Sequence, residues 1–271
     1  MPFLHLPGAS LYYEADGSIA SPALLLIHAG VATLRMWDPQ LEALAKQHYV
    51  VRFDTRGYGK TETNDVEFSD RDDALALLDH LGVARATVIG CSRGGAIALD
   101  LAVEHPERVS GLVTVGSGPS GFPEVELTER EDALFDELDA LLAAGRWEEM
   151  NRRETELWTF GPERSADELD PAFVAKAYEL SAPNIRHHAD ALSPTPLDNP
   201  AYYRVADIEV PTLVMVGDHD LSEALAQYEY LAATIPQADA CRFRDCAHLP
   251  SVERPEEFTT VLLEWLTKHG L

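Results

Sequence analysis

The chain has 271 residues, with 46 Asp or Glu against 21 Lys or Arg, for a formal net charge of −25. That charge repels phosphate backbones and acidic lipid headgroups, so nucleic acid and membrane surfaces are unsuitable partners, and no apolar run reaches the roughly 18 residues of a membrane span. A hydrophobic content of 46% with 25% charged residues describes a globular chain, neither disordered nor fibrous, long enough for an ample core in one or two domains. The first residues, MPFLHLPGAS, show neither the basic nor the long apolar region of a signal peptide. Cys91, Cys241 and Cys246 are too few for a disulfide scaffold and suit a reducing compartment. The expected location is therefore cytoplasmic. Only four of the basic residues are Lys; an acidic, Lys-poor surface fits a salt-rich setting or solubility alone.

In chain order, the first few residues and Leu11–Glu14 read as antiparallel edge strands. Ala23–Ile27 is a continuous apolar run, the pattern of a strand buried on both faces, and Tyr49–Phe53 is another. Between them Leu41, Leu44 and Ala45 have helical spacing. Asp72–Leu81 predicts an amphipathic helix stopped by Gly82. Thr87–Ile89 reads as a strand, Gly94–Val103 as a helix ending near Pro106, and Leu112–Val115 as the next strand. Val210–Val216 and Ala240–Phe243 are two more, with a helix over Ser222–Ile235 between them, and Pro255–Lys268 is a closing helix with Pro at its entry. Repeated βα units predict a doubly wound, mostly parallel α/β sheet with helices on both faces. From Pro119 to Arg204 the rhythm breaks. Helical patterns over Glu129–Ala144 and Asp170–Leu180, scattered aromatics and several prolines predict an inserted helical cap. The expected organisation is a core over 1–118, the cap over 119–204, and the rest of the core over 205–271.

The sharpest chemical signal is Gly90-Cys91-Ser92-Arg93-Gly94, which follows a strand and opens a helix. The G-x-S-x-G elbow needs that context: a strained strand-to-helix turn pushes the serine hydroxyl out above the sheet, and glycines flank it because side chains would clash. A serine nucleophile needs a base and an orienting acid, in the chain order Ser, Asp, His for this architecture. Gly217-Asp218-His219-Asp220 ends one strand with two acids, and Ala247-His248-Leu249-Pro250 follows the next.

With Leu26-Ile27-His28-Ala29-Gly30 and Asp54-Thr55-Arg56-Gly57-Tyr58-Gly59, these motifs make the sequence resemble the α/β-hydrolase superfamily over essentially its whole length. The resemblance implies an α/β-hydrolase fold and a serine hydrolase acting without a cofactor. Ser92 would be the nucleophile, His248 the base, and Asp220 the acid, with Asp218 as the competitor. Two backbone N–H groups would hold the oxyanion: that of Arg93, and that of Gly30 in the loop after the third strand. The family usually reads His-Gly-x in that loop; here His28-Ala29-Gly30 maps the donor to Gly30, with Ala29 the alternative. His28, Arg56, Gly57 and Gly59 are expected to be structural. Thr33–Gln40 resembles the 3-oxoadipate enol-lactonase-like branch, which implies a small-molecule ester or lactone substrate. Related carboxylesterases share similar stretches, cofactor-free perhydrolases use the same triad, and a non-catalytic receptor on the same fold is the reading of a different class.

Three further positions carry expectations. Trp37 either lines the substrate pocket or packs. Arg93 could grip a substrate carboxylate bidentately, or pair with a protein acid. His187, His188 and Asp190 are not expected to bind metal, Cys91 is expected to be a packed, inert thiol, and Gly116–Gly121 reads as the hinge into the cap.

Overall fold

A computed structural model describes residues 3–64, 66–190 and 192–271. Nine strands form one sheet: β1 (Phe3–Leu6), β2 (Ala9–Asp16), β3 (Ala23–Ile27), β4 (Tyr49–Phe53), β5 (Glu62–Thr63), β6 (Ala86–Cys91), β7 (Val109–Val115), β8 (Thr212–Gly217) and β9 (Asp239–Phe243). Their spatial order is β1-β2-β4-β3-β6-β7-β8-β9, with the short β5 beside β2. β1 and β2 are antiparallel edge strands, while β4, β3, β6, β7, β8 and β9 run parallel. The helices are α1 (Asp38–Leu44), α2 (Asp70–His80), α3 (Arg93–Glu104), α4 (Glu129–Ala143), α5 (Trp147–Thr155), α6 (Pro171–Ser181), α7 (Ser222–Thr234), α8 (Pro250–Glu253) and α9 (Pro255–His269). Among the described residues none is long and apolar enough to cross a membrane.

The apolar strand runs divide by parity, as a pleated strand covered on both faces requires. Leu25, Ile27, Val51 and Phe53 enter one core layer with Leu77, Ala98 and Leu101 of α2 and α3. Leu24, Leu26, Val50, Val113 and Met215 enter the opposite layer with Phe258, Leu262 and Trp265 of α9. Each such buried Leu or Phe contributes about 1.5–3 kcal/mol relative to exposure, which makes the register of the parallel strands hard to shift.

Strand β3 lies between β4 and β6, its two successors in the parallel set. The chain order reverses there, and in doubly wound sheets the crevice at the carboxyl ends of such strands is where ligands bind. The segments leaving β3 and β6 are His28-Ala29-Gly30 and Ser92-Arg93. Between β7 and β8 the described residues contain helices and turns but no strand. Two of the differences from expectation have clear local causes. Helix α2 starts at Asp70, earlier than Asp72, because Ser69 caps it by accepting the Asp72 N–H. Helix α5 and the π-helical turn after it, Glu156–Phe160, were hidden by the charge of 147–156, which masks their apolar face.

Candidate active site

Ser92 occupies the tight junction between β6 and α3 at φ 53° and ψ −122°, a conformation side chains rarely adopt. The turn survives because a Cβ at Gly90 would overlap the Gly94 carbonyl, and one at Gly94 the Ile27 carbonyl. Anchored by its N–H to Val115 O at 2.8 Å, Ser92 stays half-exposed at the head of α3. The sequence-predicted partners converge on it from other segments. His248 is 2% exposed and Asp220 4%. Nδ1 of His248 lies 2.9 Å from both Asp220 carboxylate oxygens, and Asp220 Oδ1 also accepts the Leu221 N–H at 2.9 Å. With Nδ1 donating, Nε2 is the basic nitrogen; it is buried and has no protein partner among the described residues. Ser92 and His248 both line one cavity of about 180 Å³, together with Gly116, Trp158 and Gln227 among others. Asp218 is elsewhere: it pairs with Arg242 at 2.8 Å, both side chains exposed by more than a third.

Gly116, read from sequence as part of a hinge, packs under this arrangement. Its φ is 53°, and a Cβ there would stand 2.8 Å from Asp220 Oδ2 and 2.9 Å from His248 Nδ1. Trp158, on the π-helical turn, holds its ring 4.8 Å from the His248 ring. Arg164 and Glu253 fix the same region from behind. Their bidentate pair (2.7 and 3.0 Å) is joined by an Arg164 bond to Phe160 O and by the Ala247 N–H on Glu253.

The N–H groups of Gly30 and Arg93 donate to no protein acceptor among the described residues. The loop holding Gly30 is organised by a chain of hydrogen bonds that sequence reasoning missed. Asp70 accepts from Arg93 Nη2 at 2.8 and 2.7 Å, and Arg93 Nη1 donates to Thr55 Oγ1 at 2.7 Å. The Thr55 N–H and hydroxyl approach His28 Nε2 at 3.0 and 3.2 Å, and His28 Nδ1 donates to Ala29 O at 2.8 Å. Ala29 C=O and Gly30 N–H belong to one peptide unit, so this chain fixes where that N–H points. Burial, aided by the Arg93 charge, lowers the His28 pKa to about 4 and keeps the ring neutral. His28 is thus structural, as expected, and so is Arg56, whose guanidinium grips Asp73 at 2.7 and 2.8 Å.

For Trp37 and Arg93, each read from sequence as a candidate substrate contact with a packing or ion-pair alternative, the structure favours the alternative. Trp37 is fully buried, tilted against Phe258 at 6.1 Å, and lines none of the described cavities; it packs. The Arg93 guanidinium is not a free grip for substrate carboxylate: Asp70 and Thr55 engage it, and it lies 4.9 Å over the Tyr58 ring. Cys91 is buried, with a thiol pushed well up by desolvation, in keeping with a packed residue. His187 Nδ1 faces Asp190 at 3.0 Å, and His188 Nε2 faces Asn151 at 3.3 Å.

The family model for the alpha/beta hydrolase fold matches residues 22–255. The chain belongs to the α/β-hydrolase family. Among relatives of this hydrolase, 3-oxoadipate enol-lactonase 1 of Acinetobacter baylyi is 25% identical over 94% of this chain and 92% of its own. The 2-hydroxymuconate semialdehyde hydrolase of Pseudomonas sp. strain CF600 is 30% identical over 90% of this chain and 87% of its own. The crystal structure of the enol-lactonase from Burkholderia xenovorans LB400 superposes with a TM-score of 0.73 at 28% identity, covering 98% of this chain and all of that one. Enol-lactonase resemblance, inferred from Thr33–Gln40, is thus matched by similarity along the whole chain.

Proposed function

We propose that this hydrolase cleaves a carboxylic ester or lactone through an acyl-enzyme on Ser92. The observation that carries the reading is the alignment around His248: Asp220 takes up Nδ1 with both oxygens at 2.9 Å, while Nε2 has no protein partner among the described residues and the residue lines one cavity with Ser92. In that cavity Ser92 Oγ attacks the carbonyl carbon as its proton passes to His248 Nε2. Asp220 holds the imidazole in the reactive tautomer and stabilises the imidazolium. Negative charge developing on the carbonyl oxygen is met by the Arg93 and Gly30 N–H groups, one such donor being worth roughly 3–4 kcal/mol. Collapse of the tetrahedral intermediate breaks the bond to the alkoxy oxygen, which leaves with the His248 proton. Water, deprotonated by the same nitrogen, then hydrolyses the acyl-enzyme and restores Ser92. In a lactone the leaving alcohol stays attached to the acyl chain, so one ring-opened product results. The enol-lactonase relatives favour the lactone, and the compact polar cavity suits a small acyl group.

The reading is tested with a fluorophosphonate and a panel of p-nitrophenyl esters and lactones. Ser92 is expected to be the labelled residue, because labelling requires an activated hydroxyl. Ser92→Ala is expected to lower kcat on the order of a million-fold while remaining folded. An unlabelled Ser92 in a folded, inactive wild type would instead support a non-catalytic receptor.

A further inference from the structure

Beside the nucleophile cavity lies a second one of about 230 Å³, and Arg93 lines both. Its wall joins Gly30, Arg56, Tyr58 and Arg93 of the core to Asn151, Glu154, Asn184, His187, His188 and Asp190 of the helical insert. Nearly every polar group of that wall is already engaged within the protein. Arg93 is held by Asp70, and Arg56 by Asp73. Asn184 donates to Ala32 O and accepts the Gly59 N–H, both at 3.0 Å. Asn151 donates to Ser181 Oγ at 3.0 Å and faces His188 with its oxygen, and His187 faces Asp190.

Two side chains are exceptions among the described residues, the neutral hydroxyl of Tyr58 and the carboxyl of Glu154 on α5. Glu154 is half-buried in this wall and has no hydrogen-bond or ion-pair partner among the described residues. A carboxylate taken from water without a donor is costly. Desolvation pushes the Glu154 carboxyl up to about 7, with no cation opposing the shift. Both arginines of the wall are neutralised by their own aspartates, which leaves two acids, Asp190 facing His187 and Glu154 facing no partner among the described residues. We propose that Glu154 is the specificity-determining residue of this site and receives a primary ammonium group on the acyl part of the substrate. An ammonium supplies three donors and the missing positive charge, whereas a carboxylate would face an unpaired acid. A net charge of −25 also favours the approach of cations.

The inference rests on the ester or lactone reading above, so its test has one arm that needs turnover and one that does not. The first compares kcat/KM for methyl esters of straight-chain ω-amino acids, over a range of lengths, with matched ω-methyl and ω-carboxy esters. At the best length the ammonium ester is expected to exceed its methyl isostere by about tenfold or more, the scale of a charge-assisted hydrogen bond, with the carboxylate ester the poorest. In Glu154→Gln, which keeps the volume and removes the charge, the ammonium-to-methyl ratio is expected to fall to near unity. The wild-type ratio is expected to fall as pH drops through about 7, while that of Glu154→Gln stays flat; this separates Glu154 from His187, His188, Asp190, Tyr58, Arg56 and Arg93, which face the same cavity. The second arm measures binding of n-alkylamines to Ser92→Ala by calorimetry, with and without Glu154→Gln, expecting about a tenfold loss of affinity in the double variant. Ester hydrolysis without an ammonium preference, a preference that survives Glu154→Gln, or amine affinity indifferent to Glu154 overturns the assignment. Amine binding lost on Glu154→Gln, in a protein that hydrolyses no ester and leaves Ser92 unlabelled, would sustain it and overturn the hydrolase mechanism alone.

Discussion

Asp70→Asn probes the hydrogen-bond chain behind the Gly30 loop. Asp70 is the only carboxylate bonded to the Arg93 guanidinium among the described residues, at 2.7 and 2.8 Å, with side-chain exposures of 9% for Asp70 and 25% for Arg93. Removing one partner of a fully buried pair costs about 3–5 kcal/mol; because Arg93 keeps a quarter of its surface in contact with solvent, about 2 kcal/mol is expected here. The functional consequence is separate. Without Asp70 the guanidinium can leave the Thr55 hydroxyl, and His28 is then held toward Ala29 O chiefly by the Thr55 backbone N–H. The aim of the Gly30 N–H is loosened, not lost. Full loss of an oxyanion donor costs about a hundred- to a thousand-fold in kcat, so a loosened one is expected to cost about tenfold, with KM nearly unchanged because the donor acts on the transition state. Urea unfolding gives the first quantity and steady-state hydrolysis of a p-nitrophenyl ester the second. If Asp70→Asn is destabilised yet retains kcat within about twofold, Asp70 only holds the fold together, and the chain does not position the oxyanion loop.

Other perturbations follow from the same geometry. Asp220→Asn is expected to lower kcat by about four orders of magnitude, whereas Asp218→Asn, which removes a solvent-exposed partner of Arg242, should leave it within a few-fold; the reverse ranking in steady-state assays would reassign the acid. Arg164→Met removes a pair exposed by only 12% and 8% that ties Phe160 to the His248 loop. It is expected to cost about 3 kcal/mol in urea unfolding, with a fall in kcat as Trp158 and His248 lose their backing. Acid should destabilise the fold through His28, because the unfolded ring takes a proton near 6.5 and the folded ring only near 4. The unfolded state binds more protons across that window, so the contribution is fully present above about 6.5 and is lost as pH falls toward 4, up to about 3 kcal/mol. Urea midpoints against pH should show a flatter slope in His28→Gln.

What could be read from sequence divides by whether the signal is local. The strand runs Ala23–Ile27 and Tyr49–Phe53 match the observed strands residue for residue, because burial on two faces demands apolar residues nearly throughout; Arg52 is tolerated in the second because Glu14 and Asp38 pair with it. The proposed triad of Ser92, Asp220 and His248 could be singled out because each sits in a short motif following a strand, where the turn itself demands particular residues. Trp158 was not, since its approach to His248 depends on a π-helical turn that no periodicity announces. Trp37 gave no signal that could decide between pocket and core; its position is set by Phe258, more than two hundred residues away in the chain.

Arg93 shows how a missing long-range partner can change the sign of an inference. Read in its own motif, a guanidinium beside the nucleophile suggests an anionic substrate. Folding brings Asp70 to it from the first turn of α2, and brings Asp73 to Arg56 from the same turn. Two cations that line the cavity are thereby cancelled from behind by one acidic helix start, a position that itself favours carboxylates. The acid left without a partner among the described residues comes instead from the helical insert, as Glu154, in a stretch whose sequence looks like an ordinary solvated charge run. The local motif therefore predicts selection for carboxylates, while the charge balance of the assembled wall favours ammonium. Specificity follows the assembled wall because a substrate group entering the cavity meets the net field of all its charges, in which an arginine already paired with an aspartate counts for little.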